Sequence, residues 1–181
     1  DHPMPDLVLL KTPTSLGLSR ALAAEARGVR FLNGARATWR AHDKAAVVAR
    51  LAASGLPVPV TYLTAGTPAP DAPPPERGGG WVTKPVRGVH GRGVAFHDRF
   101  PVIVEPPAGD DRSHVVDDGT RLVQQRVGDE AADLKVYVAG GRCFAGRKSF
   151  GPASFASDRI APAPLDRETE EVVRAAGEVL H

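Results

Sequence analysis

The apolar positions in the first part of the chain predict a strand, a helix and a second strand in close succession. Residues 6–10 (DLVLL) form a continuous apolar run of buried-strand length, and Ser15 can cap the helix that follows. A second short apolar run, residues 29–32 (VRFL), comes directly after that helix. Because the connections are tight, this order favours a parallel βαβ unit and the α/β class of folds.

The next apolar pattern predicts another helix and then an extended segment. Thr38 can serve as the N-cap of this helix, and Gly55 supplies its stop. Apolar side chains recur at helical spacing between these two residues, at Trp39, Ala46, Val47 and Leu51. The chain then becomes extended at GLPVPVTYLT, because two prolines flank Val58 and VTYLT has strand propensity.

The rest of the chain reads as a surface loop, short strands and a final helix. Residues 64–80 (TAGTPAPDAPPPERGGG) have almost no apolar side chain, so we expect a surface loop, with a proline-recognition ligand as the alternative interpretation. Strands are predicted at residues 81–84, 93–96, 102–105, 122–127, 134–139 and 142–146. Gly140 and Gly141 predict a two-residue hairpin turn between the last two strands, and Asp166 is expected to cap the final helix.

Composition narrows the possible functions. The 181 residues carry 23 Lys plus Arg against 21 Asp plus Glu, a formal net charge of +2, which does not suit a surface that coats nucleic acid. No apolar run approaches the roughly 18 residues of a membrane-spanning helix, and the N-terminus lacks a signal peptide's apolar segment. We therefore expect a soluble, cytoplasmic protein without nucleic-acid or membrane partners. A single cysteine, Cys143, excludes an internal disulfide and a cysteine-based zinc site.

A glycine-rich stretch at residues 81–96 (WVTKPVRGVHGRGVAF) predicts an anion-binding loop. Glycines at positions 88, 91 and 93 allow successive backbone N–H groups to face one oxygen-rich ligand. Lys84, at the end of an apolar strand, can extend its ammonium group into a cleft as a point charge for a polyphosphate. The alternative is a flexible hairpin with solvated arginines, and the stretch matches neither the P-loop nor the dinucleotide fingerprint.

Residues 122–150 (LVQQRVGDEAADLKVYVAGGRCFAGRKSF) contain a second group of candidate residues. One strand ends in Gln124 and Gln125, whose amides could meet a purine edge. Asp133 and Lys135 alternate onto one face of the next strand. Arg147 and Lys148 leave the end of the strand after it, so that these four charged groups could converge on one anion. An edge sheet with ordinary surface charges is the alternative.

Together these motifs resemble the ATP-grasp superfamily, and within it the RimK-like carboxylate–amine ligases. The resemblance begins at Asn33 and at the helix that carries Asp43 and Lys44, followed by GLPVP in place of the family's G-x-P-x-P. WVTKPVRGVHGRGV is similar to its lysine–proline strand and glycine-rich lid hairpin, and LVQQRV to the strand before the adenine hinge. DLKVYVAG fits the pattern D-x-[RK]-x-x-V-x-G, so the resemblance covers residues 33–150.

The resemblance implies an α/β ATP-grasp fold with an α+β lid and a nucleotide between two subdomains, incomplete at the C-terminus. Its divisions would be residues 1–33 (the end of an N-terminal βαβ region), 34–120 (the lid subdomain) and 121–181 (the larger subdomain). Because the sequence begins with Asp1 and its last helical segment runs to His181, we expect a fragment at one or both ends.

The resemblance also implies roles for individual residues. Lys44 and Lys84 would bind the α- and β-phosphates of ATP. The β- and γ-phosphates would be covered by Gly88, His90, Gly91, Arg92 and Gly93. The adenine would be bordered by Gln124, Gln125, Arg126 and Val127. Asp133 and Lys135 would lie near ribose or phosphate. Arg147 or Lys148 would act in catalysis by stabilising the charge on the transferring phosphoryl group.

The implied reaction transfers the γ-phosphoryl group to a carboxylate, and an amine then converts the acyl phosphate to an amide. Its substrates would be small-molecule or peptide carboxylates and amines, and a homo-oligomer is possible. The alternatives are an inositol-trisphosphate-like kinase of the same fold and a non-catalytic nucleotide-binding module. Mg²⁺ is implied, but the family's metal ligands lie beyond the helix of residues 166–181. The pairs Asp110–Asp111 and Asp117–Asp118 are interpreted as solvated, so the metal ligands stay unassigned.

Overall fold

The structure of the chain is a computed structural model that describes residues 5–12, 14–65, 79–88, 91, 93–101, 119–128, 132–149 and 160–180. The predicted strand at residues 102–105 and most of the predicted loop at 64–80 lie outside these ranges. The helices are α1 (Ser15–Glu25), α2 (Ala35–His42), α3 (Lys44–Ala53) and α4 (Arg167–Leu180). The strands are β1 (Val8–Leu9), β2 (Phe31–Leu32), β3 (Thr61–Thr64), β4 (Trp81–Pro85), β5 (Ala95–His97), β6 (Arg121–Gln125), β7 (Ala132–Ala139), β8 (Arg142–Ser149) and β9 (Ile160–Pro162).

The first strands and helix form the parallel βαβ unit that the sequence predicted. β1 and β2 pair in parallel, with Val8 opposite Phe31. α1 is capped one residue earlier than expected, because the hydroxyl of Thr14, and not that of Ser15, accepts the Gly17 N–H at 3.1 Å. The unit is held by a small apolar core of Leu10, Leu18, Ala21 and Ala35, with Leu22 and Phe31 packed against it.

The single helix predicted to start at Thr38 is wrong: the chain forms two helices, α2 and α3, that meet at Asp43. The N-cap of α2 is Gly34, which offers no side chain, and the carboxylate of Glu25 takes over that role. Its two oxygens accept the N–H groups of Ala35 and Arg36 at 2.8 and 3.2 Å. Asp43 then caps α3 by accepting the Ala46 N–H at 3.0 Å. The stop at Gly55 is confirmed by its positive φ of 73°.

An antiparallel sheet in the order β3-β6-β4-β5 forms the centre of the fold. One face packs Trp81 and Val123 against Tyr62 and Phe100, and the Trp81 and Phe100 rings meet edge to face at 4.7 Å between centroids. Because side chains alternate along a strand, Lys84 and Gln124 lie on the opposite face of this sheet. The strands predicted at residues 93–96 and 122–127 are β5 and β6, each with shifted ends.

A second antiparallel sheet, β7-β8-β9, and helix α4 complete the described residues. The predicted hairpin turn is confirmed, since Gly140 and Gly141 have φ values of 56° and 72°, as a type I′ turn requires. Asp166 caps α4 as predicted, accepting the Thr169 N–H at 2.8 Å. Arg174 of this helix donates to the Gly141 carbonyl at 2.7 Å, which ties α4 to the turn. None of the helices seen in the described ranges has the length and apolarity to cross a membrane.

Candidate nucleotide-binding site

Lys84, Gln124 and Thr61 form a hydrogen-bonded chain across three strands of the central sheet. In this register Gln124 lies opposite both Val82 of β4 and Thr61 of β3, so the three polar side chains share one face. Lys84 Nζ donates to Gln124 Oε1 at 2.7 Å, and Gln124 Nε2 donates to Thr61 Oγ1 at 2.8 Å. The Thr61 hydroxyl donates in turn to the Pro59 carbonyl at 2.7 Å. This series of hydrogen bonds fixes the position of the Lys84 ammonium group.

Lys44 joins the start of α3 to the segment that leads into the glycine-rich loop. Its Nζ donates to the carbonyl oxygens of Pro85, Val86 and Gly88 at 3.4, 3.3 and 2.8 Å. Its backbone N–H also donates to the Val86 carbonyl at 3.2 Å. The predicted phosphate ligand Lys44 therefore anchors the base of the loop, and its contact with phosphate stays a prediction.

The two lysines make an electropositive site. Burial lowers the pKa of Lys84 below its ordinary value. The pKa of Lys44 is also lowered, first by burial and then by the positive charge of Lys84, while Asp43 acts in the opposite direction. A bound anion would be stabilised beside these two partly buried ammonium groups.

The glycine-rich loop is described in part. Gly91 and Gly93 have φ values of 72° and 69°, in the left-handed region that favours glycine, and Val94 N–H donates to the Gly91 carbonyl at 3.3 Å. Gly88 begins the loop, where Lys44 holds its carbonyl. His90 and Arg92 lie outside the described residues. Glycine is thus needed for the turn itself, and the contact of the loop with phosphates stays a prediction.

The segment predicted to border adenine follows β6. The side-chain amide of Gln124 accepts from Lys84 and donates to Thr61, and its expected contact with a purine edge stays a prediction. The backbone N–H groups of Gln125 and Arg126 donate to Val60 and Gly80 at 2.8 and 3.0 Å. Val127 follows as an exposed apolar side chain.

The charged groups of β7 and β8 are divided between the two faces of their sheet. Asp133 forms an ion pair with Lys135 and lies opposite Lys148, which places these three on one face. Arg147 lies opposite Leu134 and so points to the other face. The prediction that all four groups converge on one anion is therefore wrong for Arg147, because adjacent residues of a strand face opposite sides. Its role in catalysis stays a prediction.

Sequence reasoning missed Thr61, since only the register of β3 against β6 brings it to Gln124. A metal site is not formed by the described residues: no group of three or more His, Cys, Asp or Glu side chains converges among them. Residues 110–111 and 117–118 lie outside the described ranges.

Comparison with known proteins relates the chain to solved structures. No family model and no curated protein matches it. The ATP-grasp ligase PsnB complexed with a minimal precursor superposes with a TM-score of 0.58 at 19% identity, over 97% of this chain and 62% of PsnB. D-alanine–D-alanine ligase from Bacillus anthracis, complexed with ATP, gives a TM-score of 0.60 at 16% identity, over 97% and 60%.

An L-amino acid ligase from Bacillus licheniformis gives a TM-score of 0.55 at 21% identity, over 90% of this chain and 39% of the ligase. The chain thus spans between 39% and 62% of the length of these three structures. At such identities the likeness concerns the fold alone, and the RimK-like subgroup stays a prediction. The architecture and these superpositions together show that the chain has an ATP-grasp fold.

Proposed function

We propose that this chain is the nucleotide-binding part of an ATP-dependent carboxylate–amine ligase of the RimK-like kind. The observation that carries the proposal is the pair of Lys44 and Lys84, partly buried and each with a lowered pKa. Keeping two desolvated cations beside a glycine-rich loop is unfavourable unless an anion binds between them. A polyphosphate is the anion that two neighbouring ammonium groups fit best.

In this proposal Lys84 contacts phosphate directly. Gln124 is its one hydrogen-bond partner among the described residues, so two of the three ammonium donors are available to phosphate oxygens. Because Gln124 is itself held by Thr61, Lys84 keeps its place when ATP binds, and little reorganisation is needed during transfer. Lys44 adds charge and keeps the base of the loop against α3.

The remaining site residues complete the proposed cleft. The loop of residues 88–93 covers the β- and γ-phosphates, and residues 124–127 border the adenine. Asp133 and Lys135 lie near ribose or phosphate, and Lys148 shares their sheet face. Lys148 or Arg147 stabilises the charge on the γ-phosphoryl group as it moves.

The proposed reaction has two steps. A carboxylate oxygen attacks the γ-phosphorus, releasing ADP and forming an acyl phosphate. An amine then attacks the acyl carbon, phosphate leaves, and the nitrogen gives up a proton to form the amide. A magnesium ion would neutralise phosphate charge in such a reaction, but the described residues offer no ligand set for it, so no step is assigned to it.

The three solved structures support the substrate class. They are ligases, one complexed with a precursor and one with ATP. We therefore propose that the acceptor and the amine are amino acids or peptides.

Thermal unfolding with and without nucleotide tests the binding step. ATP with Mg²⁺, at about 100 times its dissociation constant, should stabilise the chain by roughly 2.7 kcal/mol, a rise of a few degrees in Tm. GTP and NAD at the same concentration serve as controls and should give a smaller rise. A folded chain whose Tm is unchanged by ATP, or raised equally by all three, would contradict the proposal. Product analysis then separates an amide with free phosphate from a phosphorylated alcohol.

A further inference from the structure

A small pocket lies beside the lysine site and is separate from it. It is enclosed by the start of α1, the end of α2, the first turns of α3 and Arg87, with a volume of about 180 Å³. Neither Lys44 nor Lys84 lines it, and neither does Gln124. The proposed nucleotide function makes no use of this pocket.

The charge of the pocket is positive. Arg40, Arg50 and Arg87 line it, against one carboxylate, Asp43. That carboxylate caps α3 at Ala46 and forms an ion pair with Arg87 at 3.3 Å, so the charges of Asp43 and Arg87 offset each other. Arg50 adds a further positive charge to the Arg87–Asp43 pair, so the pocket favours an anionic ligand over a cationic one.

The shape and the apolar wall of the pocket narrow the ligand class. Trp39 lines the pocket with its side chain 40% exposed, and Arg87 lies over its indole ring, 6.0 Å from the centroid. Leu18 and Ala46 add further apolar surface. Pockets for drug-sized ligands usually measure roughly 300–1,000 Å³, so this one suits a smaller molecule with one anionic group and one short apolar group or ring.

We propose that this pocket binds a small organic carboxylate, whose anionic group pairs with Arg50 and Arg87 and whose apolar part lies on Trp39. This goes beyond the proposed function, since it requires no nucleotide. The pocket nevertheless adjoins the lysine site: Arg87 lies between Val86 and Gly88, whose carbonyls Lys44 holds. A bound carboxylate would therefore lie one peptide unit from the base of the glycine-rich loop.

Titration with sodium benzoate, followed by NMR, tests the proposal on the 181-residue chain. The protein has two tryptophans, so the indole N–H signals of Trp39 and Trp81 can be assigned with Trp39→Phe. Benzoate should shift the Trp39 signal and leave that of buried Trp81 in place, with a dissociation constant in roughly the millimolar range for a ligand of this size. Benzylammonium chloride and sodium chloride at the same concentrations should leave both signals unchanged.

Variants show whether the arginines carry the binding. Arg87→Gln and, separately, Arg50→Gln should each weaken benzoate binding about tenfold, as expected for the loss of one charged hydrogen bond. Arg20→Gln, at an exposed position of α1 outside the pocket, is the matched control and should bind as the original chain does. Sodium acetate, which lacks the ring, should bind more weakly than benzoate.

Several results would overturn the proposal. They are an unmoved Trp39 signal, an equal response to benzylammonium, or benzoate binding that survives both arginine substitutions. Acetate binding as tightly as benzoate would overturn the part assigned to Trp39. The benzoate titration does not depend on ATP binding, so its result can be interpreted even if ATP fails to raise Tm in the separate thermal experiment. The two proposals can therefore be rejected independently.

Discussion

Gln124 holds the ammonium group of Lys84 through a 2.7 Å hydrogen bond from the neighbouring strand of the central sheet. Gln124 is only 7% exposed, and its other amide atom is fixed by Thr61, so the oxygen end of the amide faces Lys84. A buried amide satisfied at both ends is a rigid support. The position of the lysine is therefore set by the sheet and not by its own flexible stem.

Replacing Lys84 should weaken nucleotide binding and keep the fold. Lys84→Ala removes one of the two ammonium groups that the site offers to phosphate, and its burial in the folded chain is unfavourable to begin with. We expect ATP affinity to fall roughly 10- to 100-fold, as for the loss of a charged hydrogen bond. Isothermal titration calorimetry measures the loss, and Lys11→Ala, at an exposed position, is the control. Unchanged affinity would remove Lys84 from the site.

Exchanging Gln124 for glutamate tests whether ATP binding requires a neutral side chain beside Lys84. In Gln124→Glu a carboxylate beside Lys84 would raise the pKa of the lysine and offset the charge that phosphate is proposed to meet. ATP affinity should fall about tenfold, with Tm close to that of the original chain. Gln125→Glu places the same charge on the adjacent residue, which faces the other side of the sheet. An equal loss in both variants would point to net charge and not to the Lys84 contact.

ATP affinity should also decrease as the pH becomes alkaline. Burial lowers the pKa of Lys44 and Lys84 below 10.5, so each loses its proton at a lower pH than a free lysine does. Bound phosphate favours the protonated form, and affinity should therefore decline as pH rises through these lowered pKa values. Calorimetry in two buffers with different heats of ionisation should show proton uptake on binding in that range. Affinity that stays constant up to pH 10.5 would contradict this assignment.

The same pKa shifts predict the direction in which the stability of the nucleotide-free chain changes with pH. The folded-state pKa of each lysine lies below the unfolded-state value, so between the two values the unfolded state binds more protons. The contribution of these groups to the free energy of unfolding therefore rises with pH across that window. At lower pH both lysines are charged in the folded state, and the unfavourable burial of charge is fully present.

Alanine substitutions at Gly80 and Gly177 should change the stability of the fold in opposite directions. Gly80 has a φ of 73°, and a Cβ there would lie 2.5 Å from the His97 carbonyl oxygen, so Gly80→Ala should destabilise the chain by roughly 2 kcal/mol or more. Gly177 lies inside α4 with open space around it. Gly177→Ala should stabilise the chain by about 0.5–1 kcal/mol. Urea unfolding measures both, and equal effects would show that backbone strain at Gly80 is small.

The elements that the sequence predicted well are those governed by neighbouring residues. The βαβ unit, the Gly140–Gly141 turn and the Asp166 cap each depend on a few adjacent positions. The start of α2 at Ala35, and not at Thr38, was missed because Glu25, ten residues before Ala35, provides the cap for α2. Such a contact leaves no periodic signal near the helix that it starts.

In the candidate site, too, the features set by neighbouring residues were predicted and those set by strand register were not. The Lys84 strand and the glycine-rich loop were predicted from their own residue types, and in the structure Gly91 and Gly93 have the positive φ values that favour glycine. The support from Thr61 and the opposite facing of Arg147 depend on strand register, which one sequence does not specify. Register is decided by the packing of whole sheet faces.

Because Lys44 donates to three carbonyl groups, the proposed nucleotide would compete with the loop for the same ammonium group. An ammonium group has three protons, and in the structure they point to Pro85, Val86 and Gly88. A phosphate oxygen that takes one of these protons must release a carbonyl, and the 3.4 Å bond to Pro85 is the longest of the three. If nucleotide binds at Lys44 as proposed, the Pro85 carbonyl is the one expected to lose its hydrogen bond, while the bonds to Val86 and Gly88 keep the base of the loop against α3.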